Sequence, residues 1–160
     1  MKTFFDNNGH QVDFSSKDEF GDAWHVLVLT CWNGRWVVTR HKVRGLEFPG
    51  GKREKGETIE EAAVREVYEE TGGKVDKLLY LGQYRVHAVS GPFIKSIYFA
   101  ELTELVRKDD YLETEGPVLL DKLPDHLKTD SRYSFIMRDE VIPLSIDRLR
   151  QILPDCKSYQ

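Results

Sequence analysis

The chain has 160 residues, of which 40% are hydrophobic and 31% are charged, and its formal net charge is −4. This length predicts a single domain over residues 1–160, and the composition excludes a disordered or fibrous chain. The acidic balance excludes a generic basic coat for nucleic acid, although one local patch could still bind it.

Other features of the composition predict a cytoplasmic protein. No run approaches the roughly 18 consecutive apolar residues of a membrane span, and the first ten residues lack the apolar core of a secretory signal. The two cysteines, Cys31 and Cys156, are too few for a disulfide framework, so we expect reduced thiols. No membrane contact and no stable protein partner is implied.

The first structural element is a hairpin. Residues Trp24–Cys31 form an apolar, β-branched run that is typical of a strand. Asn33 and Gly34 follow, and this pair suits the two left-handed positions of a tight hairpin turn. Residues Trp36–Arg40 are then predicted as the return strand, and residues 41–51, with one proline and several glycines, as a loop.

A helix is predicted after this loop. Thr58 and Glu61 have the spacing of a capping box, and an alanine-rich segment follows them. We expect the helix to continue to Thr71, where Gly72 and Gly73 provide the stop.

The second half of the chain is predicted to begin with two strands and to continue with a segment rich in loops. Leu78–Val89 and Phe93–Leu102 have strand composition and are joined around Gly91-Pro92. Residues 106–130 are expected to be rich in loops, with a short strand at Val118–Leu120.

Two further helices are expected near the C-terminus. One is predicted over Ser131–Val141, and one over Ser145–Leu153, with Ser145 as its N-terminal cap and Pro154 ending it. Together the elements predict an α+β protein in which helices pack on a mixed sheet, and not an alternating βαβ array.

The helix before Gly72 combines an apolar stripe with three carboxylates. At about 100° per residue, Ile59, Ala63, Val64, Val67 and Thr71 share one face, which we predict to be buried. On the same projection three glutamates occupy an adjoining arc of about 100° that overlaps the edge of this stripe. They are Glu66, Glu69 and Glu70.

Like charges at these spacings repel each other, so the arrangement has no purpose for stability alone. A bound divalent cation would relieve the repulsion, because Mg²⁺ and Mn²⁺ prefer carboxylate oxygens. The alternative is a solvated acidic face with Arg65 and Lys74 as counter-ions. The preceding Gly50-Gly51 could expose backbone groups to a metal or phosphate beside Lys52, although a plain tight turn explains such a pair equally well.

The spacing of these residues resembles the signature of the Nudix family, Gx₅Ex₇REUxEExGU. Gly51 is followed after five residues by Glu57, and after seven more by Arg65-Glu66-Val67-Tyr68-Glu69-Glu70-Thr71-Gly72. The last position is Gly73 and not the bulky aliphatic residue of the signature, a difference at a packing position. Further segments resemble a Bacillus type of this family, and they cover most of the chain: Arg44–Gly51, Tyr80–Tyr84, Ile97–Ala100, Glu113–Leu119 and Ser134–Met137.

The resemblance implies a Nudix α/β/α sandwich and cleavage of phosphoanhydride bonds that depends on Mg²⁺ or Mn²⁺. Carried over from the motif, Glu66, Glu69 and Glu70 are the expected metal ligands, together with the backbone carbonyl of Gly50. The remaining charged motif positions, Arg65 and Glu57, usually pair and orient the ligating carboxylates.

Other site residues are expected from their place along the chain. Glu113 is the candidate general base, with Glu115 or a glutamate of the motif as alternatives, and each loop glutamate could instead be a plain surface carboxylate. Arg44 and Lys52, with Arg40 as a further candidate, are expected to contact phosphate, unless they are merely solvated charges. Base stacking is assigned to one of three aromatic residues, which could equally be core: Phe48, Tyr84 or Phe135.

Three functions follow as hypotheses. The main one is hydrolysis of nucleoside triphosphates, including oxidised ones such as 8-oxo-dGTP, in the manner of MutT. The alternative is removal of pyrophosphate from the 5′-triphosphate of RNA, since the Bacillus type is described in both ways. Lesser alternatives are hydrolysis of ADP-ribose or dinucleotides, and a Nudix fold that only binds nucleotides, which would be favoured by the loss of a carboxylate that is present here.

Overall fold

The structure is a computed structural model of the chain, and it describes residues 1–154. The described residues form ten strands and two α-helices, which are connected by short turns and two 3₁₀ turns. Their bounds are β1 (Lys2–Phe5), β2 (Gln11–Ser15), β3 (His25–Trp32), β4 (Arg35–His41), β5 (Gly45–Glu47), β6 (Gly50–Lys52), α1 (Ile59–Thr71), β7 (Gly73–Val75), β8 (Leu79–Ala88), β9 (Gly91–Leu105), β10 (Thr114–Leu120) and α2 (Val141–Ile152).

The strands form one mixed sheet. Its order is β1-β2-β8-β9-β3-β4-β10, with β5 beside β4, β6 beside β3 and β7 beside β9. Strands β3 and β9 are parallel, whereas the other pairs are antiparallel. The predicted mixed sheet and the α+β class are therefore confirmed.

The central strand β3 separates two apolar layers, because successive side chains point to opposite faces of a sheet. Leu27 and Leu29 pack in a cluster with residues of α2, whereas Val26 and Val28 pack with residues of α1. The two helices thus cover opposite faces, and this arrangement is the predicted α/β/α sandwich.

The first hairpin is confirmed by its turn. Asn33 and Gly34 both have positive φ, of 50° and 76°, as the tight turn requires. Strands β8 and β9 also form where expected, although β9 extends three residues beyond the predicted end, and β10 begins four residues before its prediction.

Several predictions of local structure are wrong. Residues 41–51 are not a plain loop, because they contain β5 and β6, which pair with β4 and β3. Strands β1, β2 and β7 were not predicted from the sequence. Short strands of this kind depend on a partner elsewhere in the chain, so they lack a strong signal of their own.

The C-terminal helices differ from their prediction as well. Between residues 131 and 140 only a 3₁₀ turn forms, at Phe135–Met137, and α2 begins at Val141. Ser145 does not cap this helix: it lies inside it and donates a hydrogen bond to the carbonyl of Val141 (2.6 Å). The entry to α2 is instead held by Asp139, whose carboxylate accepts from the Val141 N–H (2.8 Å).

The end of α2 at Ile152, just before Pro154, agrees with the prediction. Cys31 is buried in the core, and Cys156 lies outside the described residues. Across residues 1–154, neither helix has the length and apolar character needed to cross a membrane.

Candidate active site

Helix α1 begins and ends as predicted. The Thr58 hydroxyl accepts from the Glu61 N–H (3.1 Å), and the Glu61 carboxylate accepts from the Thr58 N–H (3.3 Å). Gly72 ends the helix in the left-handed region, and a Cβ there would lie 1.9 Å from the carbonyl oxygen of Val106. No residue with a side chain fits this position.

The C-terminal turn of α1 is held by residues from other elements. The Lys108 ammonium donates to the carbonyls of Tyr68 (3.2 Å) and Glu69 (3.0 Å). The Glu70 carbonyl accepts from the hydroxyls of Thr39 (3.1 Å) and Thr114 (3.0 Å). These bonds satisfy carbonyls that a helix end leaves without intrahelical partners.

The buried face of α1 is shifted from its prediction. Ala63, Val67 and Thr71 are buried as expected, but Val64 is exposed, so its assignment to the stripe is wrong. Ala62 and Glu70 take part in the buried face instead, with Glu70 only 8% exposed. Glu70 therefore lies within the protected surface, whereas Glu66 and Glu69 are half-buried.

Gly51 makes room for one of these carboxylates. A Cβ on Gly51 would lie 2.6 to 2.7 Å from the carboxylate atoms of Glu66. The first glycine of the signature is therefore needed for close approach, because any side chain would displace Glu66.

Glu66 and Glu70 form a coupled pair. Burial raises the pKa of both carboxyls, and the charge of Glu66 raises the pKa of Glu70 further. The contact between the two carboxyls lowers the pKa of Glu66 and raises that of Glu70. Two buried carboxyls this close favour either a shared proton or a cation.

Arg65 connects the helix to the preceding loop. Its Nε and Nη2 donate to the two oxygens of Glu57 (2.7 and 2.9 Å). Its Nη1 donates to Glu66 (2.8 Å) and Glu69 (3.2 Å). The guanidinium lowers the pKa of Glu57 to about 2, and these bonds raise the pKa of Arg65 above its ordinary value.

These contacts also explain the present geometry of the carboxylates. In the part of the chain that is described, no three His, Cys, Asp or Glu side chains converge as a ready-made metal site. Glu66 and Glu69 are turned toward Arg65, and Glu70 is turned toward Glu66. The donor set nevertheless fits a hard divalent cation, because several carboxylate oxygens lie on adjacent helical turns of α1, beside Gly51.

The backbone of β6 presents one more oxygen to this region. The N–H of Val28 donates to Pro49, and the N–H of Arg53 donates to Trp24, so hydrogen-bonded positions alternate along the β3–β6 pair. Gly50 and Lys52 lie between them, and their carbonyls point away from β3. The Lys52 carbonyl indeed accepts from Arg65 (3.1 Å), which shows that this edge of β6 faces the α1 site.

Arg44 lies near the same carboxylates. It forms a two-point contact with the buried Glu47 (2.8 and 3.1 Å), and this bond is the main cause that raises the pKa of Arg44. The charges of Glu70 and Glu113 act in the same direction. Glu113 is 83% exposed and lies 4.0 Å from His41, so the structure brings it to the open side of this group.

The base-stacking role considered for Phe48 is wrong. Phe48 is 2% exposed and packs edge-on against Trp36, with ring centroids 5.5 Å apart, in the α2-side core. Tyr84 and the exposed Phe135, the other two candidates, both line a cavity of about 220 Å³. Lys52 is exposed and lies at the far end of β6 from Gly50.

The same cavity contains charged residues that the sequence analysis missed. Lys95 points into it, and burial lowers the pKa of its ammonium to about 8. Asp139 also lines it, and burial raises the pKa of its carboxyl to about 6. Glu47 and Glu70 raise the pKa of Lys95, which places the cavity beside the carboxylates of α1. The inward position of Lys95 in the alternation of β9 was the available sequence signal.

Comparisons with known proteins agree with this site. The model of the NUDIX domain matches residues 20–136. A Bacillus subtilis protein named "Putative 8-oxo-dGTP diphosphatase YtkD" is 46% identical over 153 residues, which cover 94% of this chain and 97% of the relative. The 8-oxo-dGTP diphosphatase of Escherichia coli is 62% identical over 52 residues, covering 29% of this chain and 40% of that protein.

Solved structures show the same fold. The Bacillus subtilis pyrophosphohydrolase BsRppH, solved as a point mutant, has a TM-score of 0.93 at 45% identity, covering 95% of this chain and 98% of that chain. A NUDIX hydrolase from Nitrosomonas europaea has a TM-score of 0.62 at 17% identity, covering 82% and 90%. Given the matched domain, the close relative and the complete signature around α1, the chain belongs to the Nudix family of hydrolases.

Proposed function

We propose that this Nudix hydrolase cleaves phosphoanhydride bonds of nucleoside triphosphates, including oxidised ones such as 8-oxo-dGTP, with Mg²⁺ or Mn²⁺ as cofactor. The observation that carries the proposal is the group of three signature glutamates on α1, in which Glu66 fits against Gly51 and both Glu66 and Glu69 contact Arg65, beside a cavity with aromatic and charged walls. A cytoplasmic location, where nucleoside triphosphates and RNA ends are made, goes with this proposal.

The cation would be held by Glu66, Glu69 and Glu70, with the outward carbonyl of Gly50. When bound, it neutralises phosphate charge and lowers the pKa of a water molecule. To hold the cation, the carboxylates of Glu66 and Glu69 would turn from Arg65. Arg65 would orient the helix against β6 through its two bonds to Glu57 and its bond to the Lys52 carbonyl.

Glu113 is the proposed general base. Its exposed carboxylate lies close enough to Arg44 to raise the pKa of that residue, and it would accept a proton from an attacking water. Glu115, which is also exposed, and the signature glutamates remain the alternatives. A base needs to come within hydrogen-bond reach of the water, directly or through one more water molecule.

Phosphate binding is assigned to Arg44 and Lys52. Arg44 is half-exposed and uses Nε and Nη2 on Glu47, so its outer edge remains open to a phosphate oxygen. Lys52 provides a second positive charge at the C-terminal end of β6, two residues after Gly50. The base is expected in the cavity lined by Tyr84 and Phe135, since aromatic rings provide a sequence-tolerant stacking surface.

A second candidate function is removal of pyrophosphate from the 5′-triphosphate of RNA. It is favoured by the similarity over nearly the whole chain to the Bacillus subtilis pyrophosphohydrolase BsRppH. The same carboxylates would serve both reactions, so the substrates differ only in what lies beyond the first nucleoside. A non-catalytic role is disfavoured because every signature carboxylate is present.

The experiment that decides between these functions is product analysis on matched substrates. Rates are compared on GTP, 8-oxo-dGTP, and 5′-triphosphorylated RNAs of two and twenty nucleotides, each with Mg²⁺ or Mn²⁺. We expect a nucleoside monophosphate and pyrophosphate from the free nucleotides. Cleavage of neither RNA would eliminate the second function, and cleavage of none of the four substrates would refute both.

A further inference from the structure

The imidazole of His41, at the end of β4, has no role in the reaction described so far. Only 11% of its side chain is exposed, and its two ring nitrogens face different parts of the site. Nδ1 faces the turn that leads to Arg44, and Nε2 faces Glu113. One side chain therefore contacts the segments that carry the proposed phosphate ligand and the proposed general base.

The hydrogen bonds of Nδ1 fix the tautomer of this ring. Nδ1 accepts from the backbone N–H groups of Val43 and Arg44, each at 3.1 Å. A ring nitrogen that accepts hydrogen bonds does not carry a proton, so the hydrogen of this imidazole is on Nε2. Among residues 1–154, Nε2 forms no hydrogen bond, and the Glu113 carboxylate lies 4.0 Å from it. A donor with a fixed direction thus points toward the proposed base.

The backbone of Glu113 is held beside this donor. Its carbonyl accepts from the Lys42 N–H (3.2 Å). The next residue, Thr114, is opposite His41 in the β4–β10 pair. The preceding residue, Leu112, has a positive φ of 59°, which is uncommon for a residue other than glycine and persists only where the surroundings determine it. The backbone of Glu113 is therefore fixed, whereas its exposed side chain has no hydrogen bond among the described residues.

We propose that His41 is a positioning residue for the general base, and that its Nε2–H donates to the Glu113 carboxylate while that carboxylate accepts a proton from the attacking water. The inference rests on the proposed function, in which Glu113 is the base. The distance of 4.0 Å is longer than a hydrogen bond, and rotation of the exposed Glu113 side chain closes it. One carboxylate oxygen is then held by the imidazole, and the other remains for the water.

The imidazole does not exchange its own proton in this arrangement. Nδ1 accepts from the turn and takes up no proton while those bonds are kept, so Nε2 retains its hydrogen. The proton of the water goes to Glu113. A hydrogen bond to a carboxylate also favours its ionised form, which is the form that a base requires.

The two nitrogens of His41 can be tested separately by two substitutions. The Oδ1 of asparagine is as many bonds from the backbone as Nδ1, so His41→Asn keeps an acceptor for the turn but has no group at the position of Nε2. The amide nitrogen of glutamine is as many bonds from the backbone as the imidazole Nε2. His41→Gln therefore keeps a donor for Glu113 and removes the acceptor for the turn.

The first test is steady-state kinetics on GTP with saturating Mg²⁺. His41→Asn should lower kcat about tenfold and leave KM within about twofold, since one hydrogen bond to a charged group is lost. His41→Gln should keep kcat within about threefold of the unaltered protein and raise KM, because the turn before Arg44 is loosened. If His41→Gln loses as much kcat as His41→Asn, or if neither loses any, the inference is overturned.

The matched control is His126→Asn. His126 is an exposed histidine between β10 and α2. The same change there should leave both kinetic constants as they are. Melting temperatures establish that each variant is folded under the conditions of the assay.

The second test measures whether His41 acts through Glu113. The constant kcat is compared for Glu113→Ala with and without His41→Asn. Residues that act as one unit give a second loss of less than about twofold, whereas independent residues multiply their losses. A further loss of about tenfold in the Glu113→Ala background would contradict the proposal. So would a Glu113→Ala variant as active as the unaltered protein, because no base would then need to be positioned.

The third test is independent of catalysis. Long-range ¹H–¹⁵N NMR spectra of the imidazoles are recorded without metal at about pH 8, above the ordinary pKa of histidine. We expect the Nε2–H tautomer for His41, with an Nε2 signal that shifts in Glu113→Ala, while the signals of His126 do not change. If these signals agree but no nucleotide is hydrolysed, the contact stands and the proposed function fails. An Nδ1–H tautomer, or an Nε2 signal that does not respond to Glu113, overturns the inference and leaves the function intact.

Discussion

The geometry of Gly51 gives the most direct test of the catalytic site. Gly51→Ala places a methyl group 2.6 Å from the carboxylate carbon of Glu66, where ordinary contacts begin near 3.4 Å. The Glu66 carboxylate must then move by almost 1 Å, since the β6 backbone is paired with β3 on one side. A misplacement of about 1 Å at a catalytic group costs on the order of 10²-fold in rate.

The assay is kcat/KM for GTP with saturating Mg²⁺, together with thermal unfolding. We expect a loss of about 10²-fold with a fold that is retained, because Gly51 does not have the left-handed backbone that would strain an alanine. Gly56→Ala is the control: Gly56 has φ of 84° and nothing within 4 Å, so this variant strains the same loop without touching a carboxylate. If Gly51→Ala keeps activity within about threefold, the active position of Glu66 does not need the space beside Gly51, and the role given to this glycine fails.

Three further results are expected. Glu66→Gln should fold normally and lose roughly 10²-fold or more in kcat, as for one strong electrostatic contact in a transition state; turnover near that of the unaltered protein would contradict its role as a ligand. Chelation by EDTA should abolish activity while circular dichroism stays native, and added Mg²⁺ should raise the melting temperature modestly because it binds only the folded state; unfolding in EDTA would mean that the metal is structural. The pKa of Glu57 is lowered from 4.5 to about 2, so this carboxylate contributes stability above pH 4.5 that is lost as the pH falls toward 2. When the free energy of unfolding is measured by urea titration across this range, Glu57→Gln should reduce its decrease at acid pH. An unchanged decrease would argue against the bond to Arg65.

The parts of the site that the sequence predicts best are those with local causes. The capping box of Thr58 and Glu61 and the stop at Gly72 act within a few residues, so their pattern alone locates α1. The signature residues from Glu57 to Glu70 are fixed along one helix and its entry loop. Their mutual approach follows from helical geometry once the helix is placed.

The errors arise where distant parts of the chain decide the structure. Val64 belongs to the apolar stripe by periodicity, yet the sheet packs against the side of α1 that contains Ala62 and Glu70. Phe48 lies next to the signature, but its orientation depends on the pairing around β5 and β6, which turns the ring into the core. Lys95 was missed for a related reason: its inward position can be read from the alternation of β9, but the cavity that it faces is formed by residues distant along the chain.

The bonds from Lys108, Thr39 and Thr114 to the end of α1 have a consequence for how the site comes into being. A helix of 13 residues is marginal on its own in water, since its first turn is costly to form. Here the turn that contains Glu69 and Glu70 is completed by groups from β4, from β10 and from the segment between β9 and β10. The carboxylates therefore reach their arrangement only after contacts distant along the chain have closed, and a fragment that ends before residue 106 should contain the complete Nudix signature without a working site.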